Sequence, residues 1–143
     1  MKNNDIGLYL RKLNNHIQKR SHSFYNRKEI KECSLSNLWV IDYLTDNSDK
    51  DIYQKDIETE FSINRATASK MLTLMEEKNF ITRIPCEEDG RLKKIKVLPE
   101  GEKLKSICLA IRKEMEKELS FSLTKEEVET LKNILKKMIV HFE

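Results

Sequence analysis

Apolar residues recur with a helical period at both ends of the chain, and a different pattern lies between. Near the start they fall at Ile6, Leu10, Leu13, Ile17 and Phe24, in steps of four, three, four and seven. That spacing marks one face of a helix over residues 5–27. Asp5 is placed to cap it, and a carboxylate suits the positive end of the helix dipole. After the polar break NRKEIKEC, Ser34 can cap a second helix whose inward stripe is Leu38, Ile41 and Leu44. Towards the end, Leu104, Ile107, Cys108, Ile111, Met115 and Leu119 predict one helix that starts at Pro99, a residue suited to the first turn. A capping box from Thr124 to Glu127 opens the last helix, with Val128, Leu131, Leu135, Met138 and Phe142 in steps of three, four, three and four. This seam, widened by Ile134 and Ile139, is too apolar to face water. Together with the first helix it predicts a helical dimer interface.

Residues 54–98 read differently. QKDIETEF is a short helix with Ile57 and Phe61 inward, SIN is a turn, and Asn64 is placed to cap a second helix. That helix buries Ala68, Met71, Leu72 and Met75. It presents Arg65, Ala66, Thr67, Ser69, Lys70 and Thr73 on the opposite and leading faces. Small side chains permit close approach to a groove floor, and hydroxyls with Arg or Lys can bond phosphates or base edges. Asn79 tolerates the left-handed conformation that ends a helix. A hairpin follows: Phe80, Ile81, Arg83 and Ile84, then Pro85 (which suits an edge strand), an EEDG turn, and Leu92, Ile95 and Val97 interleaved with Arg91, Lys93, Lys94 and Lys96. Helix, turn, helix and basic hairpin outline a winged helix-turn-helix, whose wing follows phosphates or enters the minor groove. Ile52 is a lone candidate strand residue ahead of it.

Composition sharpens this picture. The chain has 143 residues, 36% charged and 38% hydrophobic, with 3 Gly and 2 Pro, as expected of a mainly α protein with long amphipathic segments. The fold class expected is mainly α with a small β wing. Three regions form one compact unit: 1–33, an N-terminal dimerisation helix; 34–98, the winged helix-turn-helix; and 99–143, C-terminal dimerisation helices. The net charge is +3, but residues 1–33 carry eight Lys/Arg against three Asp/Glu, residues 34–61 two against seven, and residues 62–98 eight against five. The sign change inside the module says more than the total. Three cysteines without CxxC spacing and three histidines without i, i+4 spacing give no metal site and no disulfide framework, and no cofactor is expected. With no apolar run of about 20 residues and no signal-peptide pattern, a cytoplasmic protein away from the membrane is expected. A Gly-rich nucleotide loop and a nucleophile–base pair are both lacking, so an enzyme is not expected.

The ordered set of motifs resembles the MarR family of bacterial transcriptional regulators over nearly the whole chain. Cys33 through Leu44 is similar to the family's second helix. Gln54, Ile57, Phe61 and residues 63–69 are similar to its helix-turn-helix, Asp89-Gly90-Arg91 to its Asp-x-Arg wing motif, and VLPEG to the Leu-Thr-Pro-Glu-Gly that follows. Four positions depart: Glu58 stands where the family usually has Ala, Ser62 and Asn79 where it has Gly, and Leu98 where it has Thr. The resemblance implies a homodimer, commonly a repressor, whose recognition helices enter successive major grooves of pseudo-palindromic double-stranded DNA about 34–36 Å apart. Arg91 would reach the minor groove while Asp89 braces the wing through a charge-assisted bond. The DNA-binding residues expected are Gln54, Asn64, Arg65, Ala66, Thr67, Ser69, Lys70, Thr73, Arg83, Arg91, Lys93 and Lys94.

Affinity in such a regulator is modulated by a small-molecule or redox signal. His16, Arg20, Trp39 and Tyr43 are the candidate pocket for a small aromatic or amphipathic effector; Trp39 and Tyr43 equally suit core or interface packing. Cys33 is the candidate redox residue, its position near a helix start favouring the thiolate, against a reading as a small buried residue. Cys108, on an apolar stripe, reads as structural. An alternative function is a winged-helix protein-interaction module that does not bind DNA, suggested by the acidic 34–61 segment.

Overall fold

The computed structural model describes residues 4–23 and 35–143. Helices α1 (Ile6–His22) and α2 (Leu35–Asp46) precede a two-residue strand β1 (Ile52–Tyr53). Then come α3 (Gln54–Glu60), α4 (Arg65–Glu77), β2 (Ile81–Pro85), β3 (Lys93–Val97), α5 (Pro99–Glu102), α6 (Lys105–Ser120) and α7 (Lys125–Phe142). The chain divides into two compact units, Met1–Ile111 and Arg112–Glu143.

The core of the first unit gathers the predicted stripes. Leu38, Val40, Ile41 and Leu44 of α2 meet Ile57 of α3, Leu72 and Met75 of α4, Ile81 and Ile95 of the hairpin, and Leu104, Cys108 and Ile111. Cys108 is buried, as its stripe required. The sheet is antiparallel with order β1-β3-β2, so Ile52 is joined by Tyr53 to form a true edge strand against β3. Pro85 lies at the end of the other edge strand, opposite Lys93, where its missing N–H costs no interior ladder bond.

Helix boundaries follow local chemistry. Asn64 Oδ1 accepts the Thr67 N–H at 2.8 Å, capping α4 as expected. Helices α3 and α4 end in the same paired hydrogen-bond pattern. At α3 the Ser62 N–H reaches Thr59 O and the Ile63 N–H reaches Glu58 O; at α4 the Asn79 N–H reaches Glu76 O and the Phe80 N–H reaches Met75 O. This geometry needs a left-handed residue after the helix. Ser62 (φ 50°) and Asn79 (φ 60°) supply it without glycine.

Two expectations at helix starts and stops are corrected. Asp5 occupies the N-cap position of α1, but its side chain makes no capping bond. The single helix expected from Pro99 is two: α5 closes after one turn, and Leu104 N–H bonds Gly101 O three residues back before α6 begins. A Cβ at Gly101 would lie 2.3 Å from Phe80 O and 2.8 Å from Val97 Cγ1, so α5 is pressed directly on the base of the hairpin. Leu98, at the N-cap of α5, gives no side-chain cap.

In the second unit, Thr124 and Glu127 form the predicted capping box, with Glu127 N–H to Thr124 Oγ1 at 3.1 Å and Thr124 N–H to Glu127 Oε1 at 3.0 Å. Helix α7 has no buried residue. Leu131, Ile134, Ile139, Val140 and Phe142 are all exposed.

Candidate DNA-binding surface

The outward face of α4 is set by what the helix buries. Ala68, Leu72 and Met75 are fully enclosed, which turns Arg65, Ala66, Thr67, Lys70 and Thr73 outward, with Ser69 half-buried. Gln54 Nε2 donates to Arg65 O at 3.3 Å, tying the start of α3 to the first turn of α4. Thr73 Oγ1 is occupied within the helix, donating to Ser69 O at 2.9 Å.

Arg83, one of the residues expected to bind DNA, is engaged within the protein. Its Nε and Nη2 both donate to Glu76 Oε1, and Nη2 also reaches Thr73 Oγ1 at 3.3 Å. With its side chain only 18% exposed, the guanidinium fastens β2 to α4 rather than facing solvent. Lys94 is similarly engaged, its Nζ 2.6 Å from Asp51 Oδ1 across the β1–β3 pair.

The wing tip is held by Asp89. Its Oδ1 accepts the Arg91 N–H at 3.0 Å, its backbone carbonyl accepts the Leu92 N–H at 3.0 Å, and Cys86 N–H to Leu92 O closes the loop at 2.9 Å. The charge-assisted brace is therefore to the Arg91 backbone. The Arg91 and Lys93 side chains are exposed.

These pieces enclose an open groove of about 360 Å³ lined by Tyr53, Gln54, Lys55, Glu58, Arg65, Arg91, Leu92 and Lys93. Four of those residues are cationic and one is acidic. Lys55 was missed from the sequence because it sits in a segment whose net charge is negative. Its signal was adjacency to Gln54 at the first turn of a reader helix. Tyr53 was missed too. Its phenol accepts from the Cys86 thiol at 3.7 Å. The contact with Cys86, then the negative charge that its thiolate would carry, raises the phenol pKa above its ordinary value. A groove with cations on both walls and a helix N-terminus at one end suits a polyanionic backbone.

The expected effector residues lie on α1 and α2. Tyr43 turns an edge onto Phe61, centroids 5.8 Å apart, and packs against the core. Burial, then the charges of Glu60 and Asp56, raises its pKa. Trp39 is 43% exposed, while His16 and Arg20 are exposed on α1. Cys33 lies outside the described residues. Among the described residues no cluster of His, Cys, Asp or Glu could hold a metal ion, and no helix is long and apolar enough to cross a membrane.

The model of the MarR family matches residues 47–93, from the end of α2 to the start of β3. The transcription regulator MarR from Oenococcus oeni PSU-1 is 34% identical, covers 94% of this chain and 98% of its own, and superposes with a TM-score of 0.79. The chain belongs to the MarR family. Two more distant structures share the fold. S. aureus MepR, solved as a DNA complex, is 23% identical over 100% of both chains with a TM-score of 0.86. Streptococcus pneumoniae FabT, also solved with DNA, is 18% identical over 96% of this chain and 94% of its own, with a TM-score of 0.72. No curated protein matches the chain. The MarR-family assignment fixes the mainly helical, winged-helix fold and the transcription-regulator class, as the motif order anticipated.

Proposed function

We propose that this MarR-family protein is a homodimeric transcription regulator, acting as a repressor, that binds pseudo-palindromic double-stranded DNA. The observation that carries the reading is the cationic groove between the first turn of α4 and the wing, beside an α4 face of small and hydroxyl-bearing side chains. In this reading α4 enters the major groove, with Arg65, Ala66, Thr67, Ser69 and Lys70 nearest the base edges. Arg91 and Lys93 engage the backbone and the adjacent minor groove. Gln54 and Asn64 fix the register of α4, and Arg83 and Thr73 set the angle between helix and wing. That MepR and FabT were solved with DNA supports the same use of the fold here.

The dimer rests on the exposed apolar residues of the terminal helices. Ile6, Tyr9, Leu10 and Leu13 face outward on α1, and Phe142 of α7 is 85% exposed. Stripes of this extent call for a second copy to cover them. Truncation before Thr124 should leave monomers or aggregates in sedimentation, and a stable dimer would refute the assignment. A small aromatic or amphipathic effector near Trp39, Tyr43, His16 and Arg20 would act by changing the population of DNA-competent dimers.

Arg91→Ala tests DNA binding directly. Measured by fluorescence anisotropy on a short duplex, it should weaken affinity and lower the salt slope by about 2 per dimer, one phosphate contact per protomer. Unchanged affinity and slope would remove the wing from the mechanism.

A further inference from the structure

We infer that Glu58 lowers DNA affinity, holding a carboxylate in the path of the nucleic-acid backbone. The inference rests on the DNA-binding reading above and deepens it. Glu58 lines the same groove as Lys55, Arg65, Arg91 and Lys93, and among the described residues it is the one acidic residue there. Arg65 opens α4 on one side and Arg91, Leu92 and Lys93 form the wing side. A duplex that touches both walls must pass across the groove between them, and its backbone then comes close to Glu58.

Glu58 is half-buried, and its backbone is fixed where its carbonyl accepts the Ile63 N–H at 3.0 Å in the hydrogen-bonded ending of α3, which roots the side chain beside the groove. The two ion pairs nearest this surface, Arg83–Glu76 and Lys94–Asp51, use other carboxylates. Glu58 therefore meets an incoming phosphate as a like charge at short range, in a site otherwise built to attract it. Repulsion of that kind depends on phosphate and not on base identity, so it weakens binding to every duplex alike.

At a separation of about 7 Å and a dielectric close to that of water, one such repulsion amounts to about three-fold in affinity, hence about ten-fold for a dimer engaging both grooves. Because the groove is open, the effect should fade as the screening length shortens with salt.

The test is anisotropy on two duplexes of equal length, one selected from a random pool and one unrelated, at about 50 mM and about 200 mM salt. Wild type, Glu58→Gln and Glu58→Asp are compared, with thermal melts to establish equal folding. Glu58→Gln should tighten binding to both duplexes by a similar factor, more at low salt, while Glu58→Asp stays near wild type. Unchanged or weakened binding by Glu58→Gln would overturn the inference, since the carboxylate would then be bystander or contact. A gain confined to the selected duplex would also overturn it, because Glu58 would be acting on base identity. If wild type binds neither duplex at the lower salt, the DNA-binding reading itself fails, a result distinct from either of these.

Discussion

Gly101→Ala should loosen the wing without changing any residue that lines the groove between α4 and the wing. A Cβ at Gly101 would sit 2.3 Å from Phe80 O, a backbone atom that already accepts the Leu98 N–H at 2.9 Å. It would also lie 2.8 Å from Val97 Cγ1 at the end of β3. Val97 can rotate, but the Phe80 carbonyl can move only with the junction between α4 and β2. Overpacking of this kind costs about 1–3 kcal/mol. Stretching the Leu98–Phe80 hydrogen bond adds about 1 kcal/mol. Alanine's better helix propensity returns about 1 kcal/mol. The net is about 2 kcal/mol of destabilisation, or roughly 6 °C in melting temperature for a chain of this size. Circular dichroism melts of wild type and variant at equal concentration provide the assay, and hydrogen exchange should show faster exchange in β2 and β3. An unchanged or raised melting temperature would refute the claim that α5 is seated on the hairpin base.

Other substitutions probe separate parts of the account. Ser62→Gly should stabilise the protein by about 0.5–1 kcal/mol in urea unfolding, because Ser62 holds a positive φ that glycine adopts without strain; destabilisation would contradict that geometry. Arg83→Met keeps the stem but frees Glu76. It should cost about 1–2 kcal/mol in the same assay with the salt slope of DNA binding unchanged, whereas a lower slope with unchanged stability would restore Arg83 as a phosphate contact.

Much of this molecule was legible wherever short-range chemistry decides. Asn64, Thr124 and Asn79 act within three or four residues of their partners, and each does what its side chain predicts. The alternation in the hairpin and the proline at its edge were legible for the same reason. The break at residues 103–104 was hidden because the apolar stripe begins only at Leu104, so its spacing through Cys108 carries no information about the turn before it. The close approach of Gly101 to Phe80, more than twenty residues earlier, was likewise beyond the reach of local spacing. Arg83 and Arg91 look equivalent on a basic hairpin. Only the packing of β2 on α4 brings Glu76 to one of them. Lys55 joins the groove by the same kind of long-range placement, against the sign of its own segment. Family motifs identified the helix-turn-helix and wing; tertiary contacts decide which of their cations face solvent.

The most direct test of the central claim is selection of bound duplexes from a random pool by the full-length protein. The account predicts a dyad-symmetric motif whose half-sites are centred about one helical turn, roughly 34–36 Å, apart, as two α4 helices of one dimer would read it. Recovery of no enriched sequence at low salt, or of a motif without a dyad, would contradict it.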